Sequence, residues 1–496
     1  MIAPSSILFQ NPDATVFIVD IPTSIALAQE LSGPSSPPPP HSASDSSHVH
    51  HHGRKTLLSS TPIRAPYPPA TEPKTDAARA RVLERIPLSE RVFHAETIEP
   101  LVAEKLTELR ETLAAGSEFE WCLHRIAVDG GDAQNGSAQD EQAHPGKRKR
   151  SEQLRRDGCS LWTVDQELSP GLSDDPPLIL SPGLNAFGSI SELSHLVVKN
   201  TSVEPATVQI RCQLEVDPAP SGMHDYIQET PYHYHSFHVP PLSSFLRCRL
   251  PISEPITNHT QLNPHIPGLS RDHRFDLILL DPPWTNRSVR RSGHYRTQSY
   301  LDWGLLTRRL RDILRVHLKE NHALSTNASR GEHPETSPHT DTRDPLAAIW
   351  ITNSAKARKA AYDSMQGAGL TVCEEWVWLK TTTDGQPISS LGGHWRKPYE
   401  ILVIGRRVHP LKDEVKKAII TRRVIAAVPD IHSRKPNLKE LFEKVFFSTP
   451  DGVRVPYSAL EVFARNLTAG WWACGDEALK FNSEEWLVDS EQTEDK

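Results

Sequence analysis

From residue 272 onward the chain repeats one theme: short apolar runs that read as strands, with amphipathic helices between some of them. The runs are FDLILL (275–280), LAAIWIT (346–352), EEWVWLK (374–380), YEILVIG (399–405) and RRVIAAVP (422–429). YLDWGLLTRRLRDILRV (300–316) and SAKARKAAYDSMQGAG (354–369) carry the three- and four-residue apolar spacing of helices. Near-continuous apolar strands are buried on both faces, which is the habit of parallel sheets covered by helices. This alternation predicts a wound α/β domain over residues 272–490.

The remaining length needs its own account. At 496 residues and 55.5 kDa, more than one unit is expected. Residues 7–21 read as two short strands, ILFQ and TVFIVDI, joined by an NPDA turn; this N-terminal hairpin (1–31) is expected to pack on the middle of the chain. Residues 32–77 are rich in Ser, Pro, Gly and His and predict a disordered insertion. Residues 78–271 predict a mixed domain: helices in ARARVLERI and EPLVAEKLTELRETL, strands in EFEWCLHR, ATVQIRCQL and SSFLRCRL, and a disordered insertion at 127–158. A third insertion is predicted at 323–343, between a helix and a strand.

Charge and cysteine usage remove several classes. A net charge of −7 argues against a bulk electrostatic binder of nucleic acid and leaves room for a local basic patch. Six cysteines without a CxxC pair argue against a disulfide framework or a thiolate zinc site. His224, His233, His235 and His238 lie in one stretch; solvated or core histidines are the expectation, and a metal-binding pair on one strand face is the alternative. No run reaches the roughly 18 apolar residues of a membrane span, and the start does not read as a signal peptide.

The first apolar run ends in DPPW, residues 281–284. Two prolines remove two backbone donors, so the sheet stops there and leaves a carboxylate, bare carbonyls and an indole at its carboxyl edge. Ligands of open α/β sheets bind at that edge. The set suits an exocyclic amine on a nucleobase. The amine of adenine has its lone pair delocalised into the ring, and accepting its hydrogens on Asp281 and the Pro282 carbonyl favours lone-pair density on nitrogen. Trp284 is then expected to stack on the purine, worth about 1–3 kcal/mol. The bland alternative is a strand cap with a core tryptophan.

The stretch TNRSVRRSGHYRTQSY that follows carries Arg287, Arg290, Arg291, Arg296 and Tyr295 with no acid, and reads as a lid that holds phosphates; a solvated basic loop is the alternative. Trp395 and Arg396 precede another buried strand and are expected near substrate. Lys435, in a Ser-Arg-Lys-Pro turn ahead of a helix, suits a ligand carboxylate. LEVFA ends in Arg465 and Asn466, and GWWACGDE adds a Gly turn with Asp476 and Glu477, acids of the kind that hold ribose hydroxyls.

DPPW, WITN (350–353), EEWVWLK, RKPYEILVIGR (396–406), HSRKP (432–436) and EVFARNL…GWWACGDE (461–477), in that order, resemble the eukaryotic N6-adenosine methyltransferase family in its methyltransferase-like protein 4 branch. The resemblance is strong over 275–485; in the N-terminal part it is loose, resting on ILFQNPDATVFIVDIP and SFHVPPLSSFL. It implies a class I, Rossmann-like S-adenosyl-L-methionine-dependent methyltransferase fold with permuted motif order and a mixed N-terminal domain. It assigns Asp281, Pro282, Pro283 and Trp284 to catalysis, with Asp281, Lys435, Arg465, Asn466, Asp476 and Glu477 against the cofactor. The sequence departs from the family at Asp476, where Asn is usual, and at Cys474, where an aromatic is common. The implied partner is RNA, a small nuclear RNA carrying 2′-O-methyladenosine, with DNA as an alternative and a silent RNA-binding module as another. A monomer in the nucleus, with the cytoplasm as a second site, is expected; KRKR (147–150) reads as an import signal or a solubilising charge run.

Overall fold

The computed structural model describes residues 4–31, 55–68, 72–116, 119–128, 176–213, 232–252, 265–284, 303–320, 344–393, 396–407 and 419–489. Twelve strands make one sheet: β1 (Ile7–Gln10), β2 (Val16–Val19), β3 (Leu178–Ile179), β4 (Val197–Lys199), β5 (Ser244–Leu246), β6 (Leu277–Leu280), β7 (Leu346–Ile351), β8 (Thr371–Lys380), β9 (Tyr399–Arg406), β10 (Thr421–Ala427), β11 (Ala459–Val462) and β12 (Trp472–Cys474). Their order is β1-β2-β10-β8-β9-β7-β6-β11-β12-β5-β4-β3. The central β7, β6, β11, β12 and β5 run parallel, and β9 is inserted antiparallel between β7 and β8.

The apolar runs explain this placement. In β6, Ile278 and Leu280 join the core on one face, while Leu277 and Leu279 join the core on the other. The first face is covered by helices Glu99–Ala114, Trp303–His317 and Ala355–Gly367, through Leu106, Leu310 and Ala361 among others. The second is covered by helix α1 (Ile21–Ala28) and helix Lys439–Val445, through Ile25 and Phe442. Asp276, the one polar residue in the FDLILL run, has a local task. Its carboxylate accepts from Lys319 Nζ and from Ser458 N and Oγ, each at 2.8 Å, fixing the start of β6 against the start of β11.

Four expectations change. The N-terminal hairpin does more than pack on the middle of the chain, where Asn11 Nδ2 donates to Glu108 at 2.7 Å: β2 also pairs parallel with β10, Val16 opposite Val424. Its residues 16–19 are at most 1% exposed, so both faces need cover, which only a place inside the large sheet provides. Residues 32–77 are not wholly without structure. Lys55–Ser59 forms a strand between Leu487–Asp489 and Ile126–Ala127, with Leu57 and Leu58 buried. Two leucines in KTLLS suffice for that within a polar stretch. Described residues 119–124 of EFEWCLHR form no strand; Trp121 instead packs in the main core as an aromatic plug. GWWACG is more than a turn, since residues 472–474 are β12.

The middle of the chain is also less separate than expected. β3, β4 and β5 extend the main sheet, and only Gly183–Phe187, Ala206–Gln213 and Tyr232–Val239 make a sheet of their own. Two of the described histidines there are structural ties: His235 Nε2 meets Ser483 Oγ at 2.8 Å and His238 Nε2 meets the Gln29 carbonyl at 2.9 Å. His224, residues 129–158 with KRKR, and residues 323–343 lie outside the described residues. No helix among the described residues is long and apolar enough to cross a membrane.

Candidate active site

β6 and β11 are neighbours and parallel, so both finish at one edge of the sheet. From there the chain departs to β7 on one side and β12 on the other, which opens a crevice at the switch point. The last rung is Asp281 N to the Val462 carbonyl at 3.2 Å. Beyond it Pro282 and Pro283 have no N–H to donate, and the backbone turns so that Trp284 N meets the Pro282 carbonyl at 2.7 Å. On the β11 side Phe463 takes φ 62°, a left-handed value rare for an aromatic residue, and across the cleft Ser433 takes φ 73°. Both line the crevice, where such strain tends to gather at functional sites. Gly475 has φ 148°, and a Cβ there would lie 3.3 Å from Phe463 Cα, so glycine alone lets β12 turn this closely past β11.

Charges converge on Asp281. Lys435 Nζ donates to its two carboxylate oxygens at 2.7 and 2.8 Å, and Arg465 Nη1 is 3.9 Å away. Exposures of 14% for Asp281, 19% for Lys435 and 15% for Arg465 place the cluster at the foot of an open cleft. Glu400 of β9 reaches Lys435 at 3.6 Å and Lys380 at 2.7 Å. Burial would raise the Glu400 carboxyl, yet the two ammonium groups outweigh it and hold it at about 2. Lys435 is likewise kept above its ordinary value: burial opposes its charge, and Asp281 and Glu400 more than compensate. Arg465 Nε donates to Glu477 at 3.2 Å, which Lys480 also holds at 2.9 Å.

The sequence-selected residues thus separate into groups. Asp281, Lys435, Arg465 and Asn466 line one cleft. Asp476 and Glu477 are not among the lining residues; Glu477 reaches the cleft through Arg465, and the Asp476 carboxyl is pushed up by burial and by Glu477. Trp284 is 7% exposed, stacks on Trp303 at 5.9 Å and donates Nε1 to the Trp350 carbonyl at 2.8 Å. It is a core tryptophan bracing the site; the purine-stacking role is not what this geometry supplies. Arg396 is exposed on the loop before β9, while Tyr399 beyond it is buried with its hydroxyl 3.0 Å from His94 Nδ1. Arg287, Arg290, Arg291, Tyr295, Arg296 and Trp395 lie outside the described residues. No group of three metal-ligating side chains occurs among the described residues.

Sequence reasoning passed over Glu461 and Glu400. Glu461 lies between Leu460 and Val462 in β11 and lines the cleft. Burial, then the Asp281 charge, pushes its carboxyl up to about 8, against the pull of Lys435 and Arg465. A glutamate inside an apolar strand was the available signal in both cases. The folded protein therefore binds a proton at Glu461 that the unfolded chain releases near the ordinary value of 4.5. Stability from this group is full below that value and is lost as pH rises towards about 8. Glu461→Gln should remove that loss. Denaturant midpoints of variant and wild type should converge at pH 5 and diverge in favour of the variant by pH 8; a constant difference would show that Glu461 does not titrate in this way.

Strand order, the antiparallel β9 between β7 and β8, and a crevice between β6 and β11 define a Rossmann-like methyltransferase fold with permuted order, plus an N-terminal part. Residues 337–477 match the MT-A70 family, a stretch that contains Lys435, Arg465 and Glu461 and begins after Asp281. This homology is at the level of the family. The N6-methyladenosine RNA methyltransferase MTA1 of Cryphonectria parasitica is 41% identical over 225 residues, 44% of this chain and 55% of that protein. The N(6)-adenine-specific methyltransferase METTL4 of Homo sapiens is 28% identical over 258 residues, 50% of this chain and 44% of that protein. A DNA N6-methyl methyltransferase of Caenorhabditis elegans is 29% identical over 255 residues, 50% of this chain and 54% of that protein. The chain spans about half the length of the curated relatives it matches.

Proposed function

We propose that this chain transfers a methyl group from S-adenosyl-L-methionine to the 6-amino group of adenine in nucleic acid. The observation that carries the reading is the Asp281 carboxylate at the foot of a cleft that also presents Lys435 and Arg465. The cleft suits the cofactor. Asn466 Nδ2 is a buried amide donor in its lining with no acceptor, and Lys435 offers positive charge to a carboxylate. Bound there, the cofactor supplies an electrophilic methyl on sulfonium. Asp281 and the Pro282 carbonyl would accept the two amine hydrogens and orient the nitrogen lone pair. Asp281 is not free for this task, since both its oxygens already accept from Lys435. Loading the cleft therefore has to share Lys435 between Asp281 and the incoming carboxylate.

RNA is the favoured substrate, as the name of the more similar fungal relative suggests. Within RNA we favour 2′-O-methyladenosine of a small nuclear RNA, which rests on the sequence resemblance to the methyltransferase-like protein 4 branch. The fungal MTA1 proteins match at higher identity than METTL4, so unmodified adenosine belongs in the same test. A nuclear monomer, imported through KRKR, completes the proposal; deleting 147–150 should reduce nuclear accumulation. The deciding experiment is methyl transfer from labelled cofactor to matched RNA with adenosine, RNA with 2′-O-methyladenosine, single-stranded DNA and duplex DNA. Turnover on DNA with none on RNA would overturn the substrate assignment, and cofactor binding without turnover on any of them would favour a silent RNA-binding module.

A further inference from the structure

Lys435 owes its direction to its neighbour. Adjacent residues of the loop between β10 and helix Lys439–Val445 both line the cleft but find different partners: Lys435 bonds Asp281, and Arg434 bonds Asp430. Arg434 Nη1 donates to Asp430 Oδ2 at 2.9 Å and to the Leu58 carbonyl at 2.8 Å, with its guanidinium 4.6 Å from the Phe481 ring and 5.1 Å from the Trp486 ring. Asp430 Oδ1 accepts from Ser60 N at 2.8 Å. Arg125 donates to the carbonyls of Val428 and Pro429 at 2.8 and 2.7 Å, and stands 4.0 Å from both Asp430 and Asp20. The four charged side chains, two of each sign, are all at most 2% exposed.

Stability alone does not account for this cluster. Arg434 Nε and Nη2 and Arg125 Nε are buried without a hydrogen-bond partner. A buried, incompletely satisfied guanidinium is costly, and a well-packed apolar residue is often neutral or better. What the cluster provides is direction. Asp430 and the Leu58 carbonyl fix Arg434, Arg125 fixes the two residues before Asp430, and Ser433 between them is held at its left-handed φ of 73°.

We propose that Arg434, braced by Arg125, is a positioning residue that aims Lys435 into the cleft. The N-terminal segments 55–60 and 119–125 are then working parts of a site whose cleft-lining residues all lie beyond residue 278. The inference rests on the methyl-transfer reading for its kinetic consequence, and its primary readout does not need that reading to hold. In full-length protein without cofactor, acylation of Lys435 by a lysine-directed reagent is followed by mass spectrometry. Lys435 should react slowly in wild type, because its ammonium is held by two carboxylates. In Arg434→Lys, which keeps the charge and loses the planar fork, reaction should be at least about five-fold faster, since the fork's fixed geometry is what sets direction. Affinity for S-adenosylhomocysteine should fall about ten-fold or more, with the KM for nucleic acid unchanged, as misplacement by about 1 Å can cost more than this. Arg247→Lys, at a buried arginine that bonds the Ile190 carbonyl and Ser194 Oγ, is the control and should leave Lys435 unaltered. Should Arg434→Lys not fold, Arg125→Lys carries the same expectation. Unchanged Lys435 reactivity in a folded variant, or an equal change in Arg247→Lys, overturns the proposal. A wild type that binds no S-adenosylhomocysteine overturns the methyltransferase reading while leaving the reactivity result to decide this one.

Discussion

Asp281→Asn should lower methyl transfer by about a hundred-fold or more, the scale of removing one preorganised polar group from a protected site. The amide keeps the shape and one acceptor oxygen. It also presents two N–H groups, so one side of the former carboxylate would donate towards Lys435 and the substrate amine where it had accepted. The expected result is a fall in kcat under single-turnover conditions, with affinity for S-adenosylhomocysteine held within a few-fold because Lys435 retains Glu400 as a counter-charge. Loss of the Asp281 charge also removes one of the two causes that raise Glu461, so the Glu461 carboxyl should ionise at lower pH in the variant. Turnover equal to wild type would take Asp281 out of the chemistry altogether.

Lys435→Met should have the other large effect, on binding and stability together. The ammonium pairs with two carboxylates, Asp281 and Glu400, and methionine leaves them with Arg465 and Lys380 respectively as the cations within 4 Å. Breaking a buried pair costs about 3–5 kcal/mol; partial exposure here reduces that to about 2–3 kcal/mol. Affinity for a carboxylate-bearing ligand should fall about 10–100-fold, the worth of one charge-assisted hydrogen bond. The pH dependence gives a check. Glu400, held at about 2, contributes stability that is present above its ordinary value of 4.5 and is lost as pH falls through about 2. The stability gap between wild type and variant, read from urea unfolding, should therefore narrow from pH 6 towards pH 3. A gap that stays constant would mean Lys435 does not depress Glu400.

Much of this was legible because the core strands advertise themselves. FDLILL, LAAIWIT and YEILVIG are apolar on both faces, and DPPW stops the first of them at the edge where the cleft lies. Lys435 and Arg465 were legible as the charged ends of the turn and strand that close on that edge. The partner of the N-terminal hairpin was not, since parallel pairing of Val16 with Val424 leaves no local pattern in either segment. Glu461 and Glu400 hid for a related reason. A glutamate in a strand reads as solvent-facing until the neighbouring elements show what meets it, a pocket for Glu461 and two lysines for Glu400. Trp284 misled in the opposite direction: an indole beside a carboxylate suggests a ligand platform, and only Trp303, nineteen positions on, reveals that it already has a stacking partner.

The pairing of β2 with β10, of β5 with β12, and of Lys55–Ser59 with Leu487–Asp489 also governs how this chain comes off the ribosome. Each of these early segments also has a nearer neighbour, but these three pairings span more than four hundred residues in the first and last cases and more than two hundred in the second. Until β10 is made, β2 carries a fully apolar run with an unpaired edge, the kind of surface that invites aggregation. Pairings this distant in sequence favour slow assembly. A premature stop near residue 450 would remove β11 with Glu461, and Arg465 and Asn466 beyond it, rather than merely trimming a tail.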